Sequence, residues 1–248
     1  MDSGFYAACA ALLARNQALD SVANNLANIS TPGYRGQNNI FRSLLASSSA
    51  YPLSPLNRAV NNYSVLGDTQ LDLSQGNLEH TGSDLDFAIQ GSGFFSVKTS
   101  SGDAYTRDGN FHVSADGFLV TAAGDKVMGD NGPIPIVGAP VSVSPDGTIS
   151  VNGVLAGTLK VVDFPAGTPL ESLGQTYYTA PANTAKPATQ ASIQQGSLES
   201  SNVNAVASAV QLVTVQRYAE LMQRALYLFH SEMNQVAAQD LPRISTNV

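Results

Sequence analysis

The first helix of this chain must end within one stretch, which reads Asn24-Asn25-Leu26-Ala27-Asn28-Ile29-Ser30-Thr31-Pro32-Gly33-Tyr34-Arg35-Gly36. Pro32 disfavours helical backbone at Thr31, because the proline ring collides with the backbone of the residue before it. Gly33 permits a positive φ, which other residues adopt only with strain. The stretch therefore predicts a sharp turn out of a helix.

Before this turn, residues 3–28 have the pattern of a long helix. Its seam positions alternate in separation between three and four, as a coiled coil requires, and they are Phe5, Cys9, Leu12, Asn16, Leu19, Ala23 and Leu26. The polar Asn16 either fixes the register of this seam or lies at its wet edge. Only Arg15 and Asp20 are charged in the helix, so we expect neighbours on more than one of its faces.

At the other end of the chain, residues 203–239 predict a longer helix, capped by Asn202 or Asn204 and ended by Pro242. Its seam is apolar throughout and runs Leu212, Val215, Ala219, Met222, Leu226, Phe229, Met233 and Val236. A second apolar stripe contains Val206, Val210, Val213, Leu221 and Leu228. Together the stripes are wider than a two-stranded coiled coil needs, which again indicates several neighbours.

The middle of the chain changes to short β-branched or aromatic segments such as Phe94–Val97, separated by turn signals such as Asn152-Gly153. We therefore predict an α+β fold, in which long N- and C-terminal helices pair as a coiled-coil-like base and a central antiparallel β domain lies between them in sequence. The predicted divisions are an N-terminal helix and turn (1–35), a polar, partly flexible linker (36–73), the β domain (74–180), a return linker or strand (181–200) and the C-terminal helix (201–248).

A short sequence motif occurs twice, once at each end of the β region. Gln75-Gly76-Asn77-Leu78-Glu79 resembles Gln195-Gly196-Ser197-Leu198-Glu199. A chain that leaves a helical base and later returns to it would bring these segments together. We expect them to lie side by side.

Composition narrows the class of protein. The 248 residues include only 12 Lys+Arg and carry a net charge of −7, which argues against nucleic-acid binding through phosphates. The sequence contains no run of 18 apolar residues, so it predicts no helix that spans a membrane. Its N-terminus lacks the pattern of a cleaved secretory signal. Charged residues make up 12% of the chain against about 25% in typical proteins, and such a surface favours association.

We find no catalytic constellation, metal site or cofactor site in the sequence. His80, His112 and His230 have no partner at metal-ligand spacing. Gly91-Ser92-Gly93 is followed by a strand rather than a helix, so it predicts a tight turn and not a phosphate loop. Asp84 and Asp86 are predicted on the wet face of an amphipathic strand. The chain is therefore expected not to be an enzyme.

Three stretches resemble the signatures of the bacterial flagellar rod and hook protein family. The first is the opening stretch, in which Asn24, Asn25, Leu26, Ala27, Asn28, Pro32, Gly33 and Tyr34 carry the likeness. The second lies in 73–97, with Gly91, Gly93, Phe94 and Phe95. The third is 196–204, with Ser201, Asn202, Val203 and Asn204. Their order matches the family and they bracket nearly the whole chain.

This resemblance implies a structural subunit of the flagellar basal-body rod. It implies self-assembly through the terminal helices, partners among other rod and hook axial proteins, and export by the flagellar type III apparatus without a cleaved signal. The location implied is the basal body, where the rod spans the periplasm. Ser30–Arg35 is closer to the proximal rod type, with a distal rod or hook-type protein as the alternative. The C-terminal helix departs from the family because residues 205–209, near its start, lack the acidic pair often seen there.

The predicted assembly interface consists of Phe5, Leu12, Asn16, Leu19, Leu26, Leu212, Val215, Met222, Leu226, Phe229 and Met233. Two other classes of function remain open at this point. A secreted adhesin or fibre subunit would carry its ligand site on the β domain. An enzyme on that domain would need a clustered nucleophile, base or metal set.

Overall fold

The computed structural model describes the backbone of residues 2–42, 65–165, 167–174 and 176–240 and, within these, the side chains of 9–38, 70–165, 167–174, 176–228 and Ser231. Helix α1 is Asp2–Ala27 and helix α2 is Ala205–Asp240. Both helices were predicted, with ends within two residues of those observed. No helix in the described part of the chain is both long and apolar enough to cross a membrane.

The turn after α1 forms where the sequence predicts it. Gly33 has a φ of +69°, which glycine adopts without strain. The Tyr34 amide donates to the Thr31 carbonyl over 3.3 Å and closes the turn. A Cβ at position 33 would overlap the backbone of Asp108, so a side chain is excluded by contact as well as by conformation.

Short strands fill the sequence between the helices, and those that follow residue 77 pair in antiparallel fashion. They are β1 (Gln37–Arg42), β2 (Val65–Leu71), β3 (Leu78–His80), β4 (Phe87–Gln90), β5 (Phe94–Thr99), β6 (Gly102–Thr106), β7 (Phe111–Val113), β8 (Leu119–Thr121), β9 (Lys126–Gly129), β10 (Gly132–Pro133), β11 (Val141–Val143), β12 (Thr148–Val151), β13 (Val154–Thr158), β14 (Val161–Asp163), β15 (Glu171–Ser172), β16 (Tyr177–Thr179), β17 (Lys186–Pro187), β18 (Ser192–Gln195) and β19 (Ser197–Glu199). The predicted α+β class with a central antiparallel β domain is confirmed.

The main sheet has the order β15-β16-β6-β5-β9-β8-β7, with β10 paired to β9 and β14 paired to both β5 and β17. A second sheet contains β11-β12-β13. Three further pairs of strands each form a two-stranded sheet: β1-β2, β18-β4 and β19-β3. The last two pairs bring residues 192–199 back onto the start of the β region.

Strands β4 and β5 contribute much of the core because their apolar runs are buried on both faces. Phe87, Ile89, Phe95 and Val97 lie in one cluster with the inner residues of β7–β9 and β12. The ring centroids of Phe95 and Phe111 are 5.2 Å apart in an edge-to-face arrangement. A smaller cluster contains Phe94, Val162, Phe164 and Tyr178.

The chain divides into two compact units. We call the first the helix unit; it contains α1 as far as Asn24 and α2 from Val206. We call the second the β unit; it contains Asn25–Gln37 and Gln70–Ala205. The predicted 36–73 linker includes β1 and β2, and its residues 43–64 lie outside the described part of the chain. The predicted coiled-coil pairing of the helices stays a prediction.

Candidate functional site

The two segments that share a sequence motif, 75–79 and 195–199, lie side by side, as predicted. Strands β3 and β19 pair so that Leu78 is opposite Glu199 and Glu79 is opposite Leu198. The Ser200 amide continues the contact by donating to the Asn77 carbonyl over 2.8 Å. The returning chain therefore completes the sheet at the point where the β region begins.

The carboxylate of Glu199 is the centre of this region. Its Oε1 accepts hydrogen bonds from Arg35 Nη2 over 2.6 Å and from the Gly76 amide over 2.8 Å. Its Oε2 accepts from Arg107 Nη1 over 3.0 Å. The side chains of Arg35 and Glu199 are fully buried and that of Arg107 is 3% exposed. One buried anion thus holds two cations and one backbone amide.

Arg107 reaches Glu199 from the chain that follows β6. Its guanidinium also donates to the carbonyls of Ile89 over 3.2 Å and Gly91 over 2.7 Å. It lies 5.3 Å from the centroid of the Phe94 ring. Burial is the largest influence on this group and lowers the pKa of Arg107 to about 10, while the attraction of Glu199 opposes that shift.

The Arg35 backbone is held as well as its side chain. The Arg35 amide donates to the Tyr178 hydroxyl over 3.0 Å. Burial raises the pKa of the Tyr178 hydroxyl to about 12, so this oxygen stays a neutral acceptor at ordinary pH. Nearby, the Gly33 amide donates to the Glu199 carbonyl over 2.7 Å. The turn after α1 is therefore fixed to both the backbone and the side chain of Glu199.

Asn25 fastens the last turn of α1 to the chain that leaves it. Its Oδ1 accepts from the Tyr34 hydroxyl over 3.1 Å and from the Gln37 amide over 2.8 Å. Its Nδ2 donates to the Gln37 carbonyl over 2.9 Å. This side chain is buried, so its polar atoms need such partners.

Asn202 has the same role just before α2. Its Oδ1 accepts from the Gly36 amide over 2.7 Å. Its Nδ2 donates to the carbonyls of Asp72 over 2.8 Å and Ser74 over 3.0 Å. We call Asn25, Arg35, Arg107, Glu199 and Asn202, with the groups they bond, the helix-end junction; all of it belongs to the β unit.

The junction carries more positive than negative charge and leaves donors unused. Two guanidiniums face one carboxylate, a formal excess of one positive charge. Among the described residues, Arg35 Nε, Arg35 Nη1 and Arg107 Nε are buried without a hydrogen-bond partner. Buried donors of this kind cost stability, typically about 1–3 kcal/mol each. The arrangement is therefore not the one that would maximise stability.

The structure brings all three sequence signatures to this junction. Asn25, Asn28, Gly33 and Tyr34 of the first signature are buried, Leu26 and Pro32 are half-buried, and Asn24 and Ala27 are exposed. In the second, Gly93, Phe94 and Phe95 are buried and Gly91 is half-buried. In the third, Ser201, Asn202 and Val203 are half-buried and Asn204 is exposed. Gly91-Ser92 forms the predicted turn into the buried strand β5.

On α2, the predicted seam and the second stripe have different environments. Val215 and Met222 are buried, and Leu212 and Leu226 are half-buried. The second stripe is exposed along its whole described length: Val206, Val210, Val213, Leu221 and Leu228. The predicted seam residues Phe229 and Met233 have side chains outside the described part of the chain.

On α1, the most deeply buried side chains are small ones: Ala11, Ala14, Ala18 and Val22. The predicted interface residues Leu12, Leu19 and Leu26 are half-buried, and Asn16 is exposed. The side chain of Phe5 lies outside the described residues. Within the helix unit, the Arg15 guanidinium lies 5.4 Å from the centroid of the Tyr218 ring, which places α1 beside α2 at this point.

Sequence reasoning missed the roles of Arg107, Tyr178 and Glu199 at the junction. Glu199 belongs to a quoted signature, but nothing in a single sequence shows which distant cation it meets. The available signal was the small number of charged residues in the chain. A carboxylate within a strand of such a chain is expected to be buried only with a positively charged partner.

The prediction for Asp86 is wrong, while Asp84 is exposed as predicted. Asp86 is buried, and its Oδ1 accepts from Asn110 Nδ2 over 3.0 Å and its Oδ2 from Thr81 Oγ1 over 2.7 Å. The amphipathic alternation does not apply here, because Asp84 and Leu85 form a turn and β4 starts only at Phe87.

Three families match successive parts of the chain. Residues 5–35 match the family described as flagella basal body rod protein. Residues 88–151 match the D1 domain of the flagellar hook proteins FlgE/F/G, and residues 194–226 match the C-terminal region of the flagellar basal-body rod proteins FlgEFG.

Relatives that match most of the chain are also named as flagellar basal-body rod proteins. The flagellar basal-body rod protein FlgF of Caulobacter vibrioides is 35% identical over 227 residues, covering 89% of this chain and 90% of that protein. FlgF of Escherichia coli is 32% identical and covers 91% of this chain and 93% of its own. FlgG of Buchnera aphidicola from Acyrthosiphon pisum is 32% identical and covers 84% and 88%.

Proposed function

The chain belongs to the flagellar basal-body rod protein family and is a structural subunit of the flagellar rod, and on this premise we propose that it self-assembles through its terminal helices. Its relatives are described as rod proteins and not as enzymes. We therefore assign it a structural role in the flagellar basal body, with no catalytic activity and no cofactor.

The observation that carries the assembly proposal is the exposed apolar stripe of α2. Leu221 is 48% exposed and Leu228 is 60% exposed, although both are large and apolar. The described side chains of this helix include only three charges, Arg217, Glu220 and Arg224. Exposed apolar area of this kind marks a surface meant to be covered. Neighbouring subunits would cover it when the rod forms.

The predicted interface residues divide into two roles under this proposal. Leu212, Val215, Met222 and Leu226 form the face of α2 that packs within the helix unit, together with Leu12 and Leu19 of α1. Phe5, Asn16, Leu26, Phe229 and Met233 stay predicted interface residues. The second stripe of α2 then faces other copies or other axial proteins.

Among rod types we propose the proximal one. FlgF relatives that are 33–35% identical and match 89% of this chain support this assignment. The FlgG relative from Buchnera, at a similar identity, keeps the distal rod as the second candidate. Electron microscopy of basal bodies from a deletion strain separates the two, since loss of the rod near its base indicates the proximal type and a rod that stops midway indicates the distal type.

The proposed partners are other copies of this chain, other rod and hook axial proteins, and the flagellar type III export apparatus. The proposed location is the periplasm-spanning part of the basal body. Negative net charge and few cations give no support to a nucleic-acid partner.

Replacing Leu221 by serine tests the assembly proposal. We expect Leu221→Ser to reduce incorporation into isolated basal bodies at least tenfold, because a polar group would be buried between subunits. Gln216→Ser is the matched control, since Gln216 is exposed on the same helix outside the stripe. Normal incorporation of Leu221→Ser, or full motility of a strain whose chain lacks residues 203–248, would contradict the proposal.

A further inference from the structure

We propose that Arg35, Arg107 and Glu199 form a positioning triad. Its charge fixes the register in which the three signature segments meet and on which rod assembly depends, whereas replacing all three side chains together by neutral ones does not lower the stability of the fold. The inference rests on the proposed function, because its readout is incorporation into the rod. It concerns the β unit alone, which contains all three residues.

The geometry of Glu199 suits this role. Its carboxylate contacts the turn after α1 through Arg35, the segment before β3 through Gly76, and the chain after β6 through Arg107. Its backbone carbonyl holds the same turn through Gly33. None of these segments can shift without breaking its hydrogen bond to Glu199, so the one carboxylate holds all three in place.

The apolar pattern does not fix the register of β19 by itself. Residues 195–201 read Gln-Gly-Ser-Leu-Glu-Ser-Ser, and the single large apolar side chain, Leu198, is only half-buried. Register is weakly specified in polar strands, and a slip of one residue moves every side chain to the other face. Such a slip would take the Glu199 carboxylate away from Arg35 and Arg107, the two buried cations that it contacts. The charges therefore penalise the wrong register strongly.

The triad does little for stability in the correct register. Two buried cations share one anion, and three of their N–H groups have no partner among the described residues. Burial lowers the pKa of Arg107 despite the nearby carboxylate, so desolvation outweighs the attraction of Glu199 for this group. Buried ion clusters can often be replaced by neutral side chains of similar size without loss of stability.

Two triple variants separate positioning from stability. In one, Arg35→Met, Arg107→Met and Glu199→Met replace the triad by apolar side chains; in the other, all three become Gln. The matched control is Lys98→Met with Asp103→Met, which removes the exposed ion pair of the β5–β6 hairpin, whose atoms are 2.7 Å apart. Urea unfolding of the purified full-length chain measures stability. Basal bodies isolated from a strain carrying each variant measure incorporation.

We expect at least one triple variant to unfold at the same or a higher urea concentration than the native chain, and to be incorporated at least tenfold less. We also expect faster amide exchange at Gly33, Gly36 and Gly76 in that variant, with exchange in β5 unchanged. The control should match the native chain in both assays.

Two results would overturn the inference. Unfolding of both triple variants at lower urea than the native chain would make the triad a stabilising element. A stable triple variant incorporated with less than a tenfold loss would make its charges dispensable for assembly. Absence of the native chain itself from basal bodies would refute the proposed function instead, so the two failures are distinguishable.

Discussion

Strand β5 and helix α2 are both rich in apolar residues, but their side chains lie in different environments. In β5, Phe94, Phe95 and Val97 are buried within the β unit. In α2, Val210, Leu221 and other large apolar side chains remain exposed in the single chain. The proposal of assembly through the terminal helices rests on this difference, because a continuous apolar stripe on one helix can be covered by neighbouring subunits. Substitutions in the two regions should therefore differ in their effect on the free energy of unfolding of the single chain.

The core of the β unit should give the largest effect. We expect Phe95→Ala to lower the free energy of unfolding by about 4 kcal/mol, because it leaves a cavity against Phe111. Urea denaturation followed by circular dichroism measures this. Val154→Ala in the same unit is the control, because Val154 is exposed and should change stability by less than about 0.5 kcal/mol. Equal effects of the two substitutions would show that β5 is not a closed core.

Removing the buried anion should come next. We expect Glu199→Ala to cost about 3 kcal/mol, because it leaves two buried arginines without their counter-charge. Asp103→Ala removes the acid of the exposed Lys98–Asp103 pair and should cost less than about 1 kcal/mol. Urea denaturation measures both losses of stability. Comparable losses would mean that the buried ion pairs of Glu199 contribute no more to stability than the exposed Lys98–Asp103 pair.

Alkaline pH should weaken the β unit through its tyrosines. The pKa of Tyr178 is raised to about 12 in the folded chain, against about 10 when unfolded. Between these values the unfolded chain has lost a proton that the folded chain keeps, so stability falls as pH rises. Tyr177 shifts in the same direction. The lowered pKa of Arg107, about 10, acts in the opposite sense above pH 10.

Tyr178→Phe isolates one contribution to this pH dependence. The variant should lose less stability between pH 10 and 12 than the native chain does, by about 2 kcal/mol. Urea unfolding at each pH measures the slope, and the absolute stability of the variant is irrelevant to it. Parallel slopes for the two proteins would show that Tyr178 ionises equally in the folded and unfolded states.

The exposed stripe should give the smallest effect on the single chain. We expect Leu221→Ala to change the free energy of unfolding by less than about 0.5 kcal/mol, because its side chain already contacts water. Met222→Ala, one position along the same helix, is buried and should cost about 2 kcal/mol or more. A loss above 1 kcal/mol for Leu221→Ala would mean that the helix unit is closed within one subunit.

The sequence alone determined the elements whose cause is local. Helix α1 ends at Ala27, shortly before Pro32 and Gly33, which predict a turn out of the helix. Helix α2 follows from an apolar period sustained over many turns. The antiparallel strands followed from short apolar runs between turn signals. Even the pairing of β3 with β19 could be predicted, because the two strands carry the same short motif.

Only the tertiary structure decided which distant charges meet and which apolar faces stay exposed. Arg35, Arg107 and Glu199 are separated by up to 164 positions, and a period within one element says nothing about contacts over such separations. Both stripes of α2 are apolar in sequence, but in the described part of the helix Val215 and Met222 of one stripe are buried, whereas the other stripe is exposed throughout. Asp86 shows the same limit, since hydrogen bonds from Thr81 and Asn110 allow its burial where polarity alone predicted exposure. Burial depends on what the rest of the chain brings to a residue, and that is settled only when the chain has folded.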